Sequence, residues 1–171
     1  MFRGDAWDHL ESLVELPHYA VVAGYVRYCA ERGVVWDIGC GAGRLLSLLE
    51  PHFLTYVGVD ISDEAIRLAS ARKVPGTRFY RGSFEHWTPT ERADVIVFNE
   101  SIYYASNPAS MLEKYSRYLN ADGRIIVSAV YYRHRRAMWR RMEKTLPLIT
   151  ASIVENTDQN RWRIGVFKAV H

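Results

Sequence analysis

The sequence predicts an α/β chain, with a doubly wound, seven-stranded sheet that is mostly parallel with one antiparallel strand and carries helices on both faces. Three observations predict it. Short β-rich apolar runs alternate with helical segments as far as residue 145. The early runs are apolar at nearly every position, as strands buried on both faces require. The last two runs are separated only by the turn-like TDQN, which makes them an antiparallel hairpin.

Taken in order, residues 5–32 begin acidic and become amphipathic, giving one or two helices with Pro17 as an interruption and Gly33 as the stop. VVWDIG is the first strand, RLLSLLE a helix closed by Pro51, and FLTYVGVD the second strand. Ser62 followed by Asp63 and Glu64 supplies a hydroxyl cap and first-turn acids, so ISDEAIRLASARK starts a helix. TRFYRG is the third strand, FEHWTPTER a loop or single turn, and ADVIVFN the fourth strand. Asn107-Pro108 opens a helix through PASMLEKYSRYL, and Asn120–Gly123 turns into RIIVSAVYY, the fifth strand. Residues 133–145 are helical, and LITASIVEN and RWRIGVFKAV complete the sheet.

A length of 171 residues suits one domain spanning 1–171, and the composition, 49% hydrophobic and 24% charged, is that of a globular protein rich in aromatics. The net charge of +3 does not by itself point to nucleic acid. It is unevenly placed: Arg133–Lys144 carries five arginines and one lysine against one glutamate, or +5, leaving −2 for the rest. Two cysteines are too few for a disulfide scaffold, so reduced thiols and a cytoplasmic location are expected. The opening MFRGDAWDHLESL has no signal-peptide pattern, and no apolar run is long enough to span a membrane.

The chemistry begins at VVWDIGCGAG. In an open α/β sheet a ligand binds beyond the carboxyl ends of the strands, where Gly39, Gly41 and Gly43 lie. Glycines let the chain turn and let a ligand approach the backbone without meeting a Cβ. Asp60 ends the second strand 17 residues past Gly43, where a carboxylate can accept both hydroxyls of a ribose. The spacing is G-x-G-x-G rather than the dinucleotide G-x-G-x-x-G, and no Gly-Lys-Ser/Thr of a P-loop follows. Asp37 would repel a pyrophosphate but pair with an ammonium group. A positively charged nucleoside suits this loop better than an anionic one.

The run VVWDIGCGAGRLLSLL, followed by YVGVDIS, FYRGSFEHW, ADVIVFNESIYYA and YLNADGRIIVS, resembles the class I S-adenosylmethionine-dependent methyltransferases over nearly the whole chain. That resemblance implies a Rossmann-like core over residues 34–171 and S-adenosylmethionine as cofactor, with S-adenosylhomocysteine as product. It implies that Asp37 and the loop Gly39, Cys40, Gly41 and Gly43 approach the methionine part, that Asp60 binds the ribose, and that Ile61 packs on the adenine. Ser83 and Phe84 would sit by the adenine edge, where the family often has an acid in place of Ser83, and Asn99 beside the cofactor as a strand-end hydrogen bonder. For Ile61, packing on a base and packing in a core ask for the same residue type. In this superfamily a segment before the first strand often folds over the cofactor, so the helical residues 1–33 are expected to supply a lid through Trp7, His9, His18 and Tyr19 or to anchor a helix to the sheet.

Methyl transfer is an in-line displacement, so the protein must align a nucleophile and exclude water, with a base where the nucleophile carries its proton. The fourth strand's end normally faces the methyl group in this architecture, and here it reads Phe98 to Tyr104. Glu100 could take a proton from an amine or hydroxyl or serve as a structural carboxylate; Tyr103 and Tyr104 could wall the sulfonium with their ring faces. One of the two tyrosines is expected in the core, because adjacent side chains diverge. FNESIYYA, LNADGRIIVSA and RHRRAMWRRM are locally similar to the rhizobial nodulation N-methyltransferases and small bacterial relatives, whose acceptor is an amine on a modified sugar oligomer. His134 is a candidate base, and with Arg133 and Arg135 it follows the fifth strand and could reach the cleft. The basic run otherwise reads as a solvated helix with Met138, Met142 and Leu146 facing the sheet.

The expected function is therefore methyl transfer to a small-molecule acceptor, an amine or hydroxyl of a sugar or secondary metabolite. A nucleic-acid acceptor is disfavoured because the NPPY pattern, an aromatic platform and a recognition domain are all missing. A homodimer is the protein partner to consider, since a second subunit could supply acceptor contacts. No metal ligand set is assigned. Two alternatives stay open: a cofactor-binding scaffold without turnover, and a nicotinamide-dependent Rossmann oxidoreductase, which lacks its glycine spacing and any Tyr-x-x-x-Lys pair.

Overall fold

The computed structural model describes residues 13–169. Helix α1 (Leu16–Cys29) leads into β1 (Val34–Ile38), then α2 (Arg44–Leu49), β2 (Thr55–Asp60), α3 (Asp63–Ala71), β3 (Thr77–Arg81) and β4 (Ala93–Asn99). After a 3₁₀ turn (Ile102–Tyr104) come α4 (Pro108–Ser116), β5 (Leu119–Val130), a second 3₁₀ turn (Arg133–Arg135), α5 (Arg136–Thr145), β6 (Leu148–Glu155) and β7 (Arg161–Lys168). The seven strands lie in the order β3-β2-β1-β4-β5-β7-β6, with β7 antiparallel to both neighbours and every other neighbouring pair parallel. Strand order reverses between β1 and β4, so the crevice expected of a doubly wound sheet opens beyond Ile38 and Asn99.

Both faces of the sheet are covered. Tyr19, Val22 and Val26 of α1 and Leu45, Leu46 and Leu49 of α2 pack on Val35, Val95 and Val97. On the opposite face, Leu112 and Tyr115 of α4 and Trp139 and Met142 of α5 pack on Trp36, Ile96 and Phe98. Alternate residues of β1 and β4 therefore serve opposite cores, and this explains why these strands read as continuous apolar runs. Two caps act as the sequence indicates: Ser62 Oγ accepts the Ala65 N–H at 3.2 Å, and Asn107 Oδ1 accepts that of Ser110 at 3.2 Å. Among the described residues no helix is long and apolar enough to cross a membrane.

Three local expectations change. Pro17 does not interrupt a helix; it sits in the first turn of α1, where its missing N–H has no intrahelical partner to lose. Asn120–Gly123 is no free turn but the bulged start of β5, whose register against β4 slips between Ala93↔Leu119 and Val95↔Arg124. A Cβ on Gly123 would come within 2.9 Å of the Leu119 side chain, so the bulge depends on that glycine. In α5 the fully buried aromatic is Trp139, while Met138 is only half-buried. Of the lid candidates, Trp7 and His9 lie outside the described residues.

Candidate functional site

β1 carries the chain through Ile38 into the glycine loop, and the loop is pinned to β2: Val59 O accepts the N–H groups of Gly39 at 2.7 Å and Cys40 at 3.0 Å. Gly39 has φ +80°, and a Cβ there would meet the Ser101 Cβ at 2.4 Å, so a side chain is excluded by conformation and by space. Ser101, from the end of β4, donates its hydroxyl to Ile38 O at 2.5 Å and locks the two strand ends together. Gly43, at φ +78°, turns the chain into α2 with its α-hydrogen side against Ala69; it serves helix packing and does not line the crevice.

The crevice is a cavity of about 1160 Å³, beyond the roughly 300–1,000 Å³ of a pocket for one drug-sized ligand. One end is built by β2 and the segment after β3. Asp60 lines it, with Oδ2 accepting the Gly41 N–H and Oδ1 that of Ser62, each at 2.9 Å. These bonds fix the carboxylate while leaving its remaining lone pairs for a ligand. Ile61 beside it is 69% exposed and lines the cavity, so it is an apolar platform rather than core. Ser83 and Phe84 form the neighbouring wall, and Phe84 O accepts from Lys114 Nζ and the Tyr115 hydroxyl.

The other end is built by β4, the first 3₁₀ turn and α1. Asn99 is 7% exposed, lines the cavity, and its Oδ1 has no partner. Asp37 is 2% exposed and does not itself line the cavity; Oδ2 accepts the Tyr56 hydroxyl at 2.5 Å, whereas Oδ1 has no donor. Burial raises the Asp37 carboxyl to about 7, against the opposing Tyr56 bond and with help from the Asp60 charge. Burial also pushes the Cys40 thiol well up, which keeps it a protonated lining group. Among polar groups this well buried, unpartnered oxygens are uncommon, and Asn99 Oδ1 is one that faces the cavity residues.

Glu100 adopts φ +54°, a conformation that a residue with a side chain holds only under constraint. The constraint is visible: its N–H donates to Ser128 O at 3.0 Å, and its Oε2 accepts from Val130 N at 3.2 Å and the Tyr103 hydroxyl at 3.1 Å. Burial raises this carboxyl to about 6, offset by the two hydrogen bonds and the Arg135 charge. Arg135 stacks 3.6 Å over the Tyr103 ring and donates to Val130 O, so it props the outer side of the same assembly. As expected of adjacent side chains, Tyr103 packs half-buried against the core while Tyr104 faces solvent, yet the two stay together. The 3₁₀ turn brings their ring centroids to 4.6 Å, Tyr104 is 75% exposed, and both line the cavity.

His134 is exposed, stacks on Tyr132 and does not line the cavity, and Arg133 is exposed too; of the three residues expected to follow β5 into the cleft, only Arg135 approaches it. From α1, Tyr19 lines the cavity and His18 does not. His18 is fully buried between Tyr19 and Trp162, and burial lowers it to about 3. The sequence reading missed Glu15 and Arg44, which line the cavity, and Ser101; only Arg44, next to the glycine loop, carried a local signal.

A family model described as a methyltransferase domain matches residues 15–158. Trans-aconitate 2-methyltransferase of Acidovorax sp. (strain JS42) is 32% identical over 103 residues, covering 60% of this chain and 40% of that enzyme, so the match spans about two fifths of the relative's own length. The N-methyltransferase NodS from Bradyrhizobium japonicum WM9, in complex with S-adenosyl-L-homocysteine, superposes with a TM-score of 0.86 at 15% identity, covering 99% of this chain and 94% of that one. The [4+2]-cyclase SpnF shares the fold at a TM-score of 0.75 and 12% identity, over 91% of this chain and 82% of that one. The nicotinamide alternative finds no support in these relationships. With the domain model covering most of its length and the glycine loop, Asp60 and strand order in place, the chain belongs to the class I S-adenosylmethionine-dependent methyltransferases.

Proposed function

We propose that this chain moves a methyl group from S-adenosylmethionine to the amine or hydroxyl of a small acceptor, a sugar or secondary metabolite. The observation that carries the reading is one cavity with a fixed carboxylate and an exposed apolar residue, Asp60 and Ile61, at one end and the Glu100–tyrosine assembly at the other. The residues present fit the cofactor. Asp60 suits ribose hydroxyls, Ile61 and Phe84 an adenine, and the bare backbone at Gly39 and Gly41 close approach by the methionine end. The unpartnered Oδ1 of Asn99, on the cavity wall, offers an acceptor to its ammonium group, with the Asp37 carboxyl buried close behind the glycine loop.

When bound, the cofactor supplies an electrophilic sulfonium methyl; the rest falls to this chain's own residues. Glu100, at about 6, is ionised at neutral pH and receives the acceptor's proton at Oε1, which accepts one long bond from the Ser128 hydroxyl at 3.4 Å, whereas Oε2 is occupied by Val130 N–H and the Tyr103 hydroxyl. Tyr103 and Tyr104 wall the reacting end with their rings, and Tyr19 with Glu15 closes it from α1. The surplus volume beside a cofactor leaves room for the acceptor in the same cavity.

Incubation with methyl-labelled S-adenosylmethionine and a panel of amines and alcohols, amino sugars included, is expected to place label on an amine or hydroxyl with one S-adenosylhomocysteine released per methyl. SpnF shows that this fold also serves a protein named for another reaction. Tight cofactor binding with persistent failure of transfer across the panel would favour the scaffold reading instead.

A further inference from the structure

Arg135 ends the second 3₁₀ turn and is half-buried. Its guanidinium carbon lies 3.6 Å from the centroid of the Tyr103 ring and 5.6 Å from that of Tyr132, and its Nη1 donates to Val130 O at 3.3 Å. Among the described residues no carboxylate forms an ion pair with it, and it does not line the cavity. A guanidinium partly removed from water without a counter-ion is costly, so two ring faces and one carbonyl are what hold it. Such a side chain can act on the site only through the groups it touches.

Both of its main anchors also hold Glu100. Val130 takes Arg135 on its carbonyl and gives its N–H to Glu100 Oε2 at 3.2 Å. Tyr103 takes Arg135 on its ring face and gives its hydroxyl to the same Oε2 at 3.1 Å. The other aromatic beside Tyr103 is Tyr104, itself 75% exposed, so without Arg135 little would keep the phenol on the carboxylate.

The titratable groups around Glu100 are Tyr103 and Tyr104 from the first 3₁₀ turn, Glu15 and Tyr19 from the start of α1, and Arg135 from beyond β5, with Arg44 over the Tyr19 ring. Burial raises the Glu100 carboxyl; the Val130 and Tyr103 bonds and the Arg135 charge lower it, and the Glu15 charge raises it again. Loss of Arg135 would therefore act twice in one direction, loosening a donor and removing a cation.

We propose that Arg135 is a positioning residue for methyl transfer: its stack on Tyr103 and its bond to Val130 O hold two donors on Glu100 Oε2, so that Oε1 stays presented to the acceptor's proton. This rests on the reading of Glu100 as the base. Arginine suits the task because its planar guanidinium can stack on a ring and hydrogen-bond in its own plane at once, which an ammonium cannot.

Protein carrying glutamate labelled with ¹³C at Cδ, its Glu100 signal assigned by loss in Glu100→Gln, reports the Glu100 titration without any acceptor. Arg135→Met is expected to move that midpoint upward by about half a unit or more. Arg135→Lys, which keeps the charge and loses the flat stack, should return most of the midpoint but only part of the rate. With an acceptor from the labelled-methyl panel, Arg135→Met should lower kcat/KM by about tenfold, its acid limb moving up with the midpoint. S-adenosylhomocysteine affinity should stay within about twofold, which also reports a folded variant, because Arg135 does not line the cavity. Combined with Tyr103→Phe, the change should cost less than the product of the two single losses. A midpoint or a kcat/KM that Arg135→Met leaves unmoved overturns the proposal, and a parallel loss of S-adenosylhomocysteine affinity assigns Arg135 to the structure of the wall and overturns it too. A wild type that transfers no methyl would remove the base reading and this role with it, whereas an active wild type with an indifferent Arg135→Met removes Arg135 alone.

Discussion

Asp60→Ala is expected to lower S-adenosylhomocysteine affinity by about 100-fold or more, because hydrogen bonds to a charged group contribute about 1.5–3 kcal/mol each and a ribose offers two. The loss has a second source. In the free protein the Asp60 carboxylate holds the N–H groups of Gly41 and Ser62, so alanine both deletes the ribose contact and frees the loop that must be in place before a ligand arrives. Asp60→Asn separates the two, since its amide oxygen can keep one backbone contact while the charge is gone; an intermediate loss is expected. Circular dichroism should show the α/β signature intact in both variants. An Asp60→Ala protein that binds S-adenosylhomocysteine as tightly as wild type would remove Asp60 from the ribose role.

The second large effect falls on turnover. With an acceptor identified in the labelled-methyl panel, Glu100→Gln is expected to reduce kcat/KM by about 100-fold or more, the usual contribution of a positioned base. Its pH dependence follows from the sign of the shift. Burial raises the Glu100 carboxyl from 4.5 to about 6, and only the ionised form accepts a proton, so the wild-type rate should fall about tenfold per unit below pH 6. The glutamine variant should lack that acid limb. Glutamine can still accept from Val130 N–H and the Tyr103 hydroxyl, so a purely structural Glu100 would tolerate the change. A Glu100→Gln enzyme with wild-type kcat/KM and an unchanged acid limb contradicts the base assignment.

What the chain disclosed before folding was what local chemistry decides. The strands around VVWDIG and ADVIVFN are apolar on successive residues because Val35 and Trp36, or Val97 and Phe98, enter opposite cores. Ser62 and Asn107 announced their helices because a cap is a contact three residues long. Gly39 and Asp60 were legible because their spacing expresses one loop and one strand length. The acceptor end was less so. Glu100 was a candidate base on position alone, since nothing in FNES announces its left-handed backbone, which depends on Ser128 and Val130 of a strand 28 to 30 residues away. That one tyrosine would pack on the core was legible, and it is Tyr103; that both rings would still line one cavity was not, because the 3₁₀ turn sets their centroids 4.6 Å apart. Glu15 joins the site purely through the docking of α1, a tertiary event without a sequence mark. His134 failed to arrive because Arg135, one residue on, is the side chain that the turn aims at Tyr103.

The crevice between β1 and β4 is a site for S-adenosylmethionine. Isothermal titration of the full chain with S-adenosylhomocysteine measures it most directly, with NAD as the control nucleotide. Saturable one-to-one binding in the micromolar range is expected for S-adenosylhomocysteine and none for NAD, whose pyrophosphate would lie on the glycine loop close to the buried Asp37 carboxyl. Binding of NAD with no response to S-adenosylhomocysteine would contradict it.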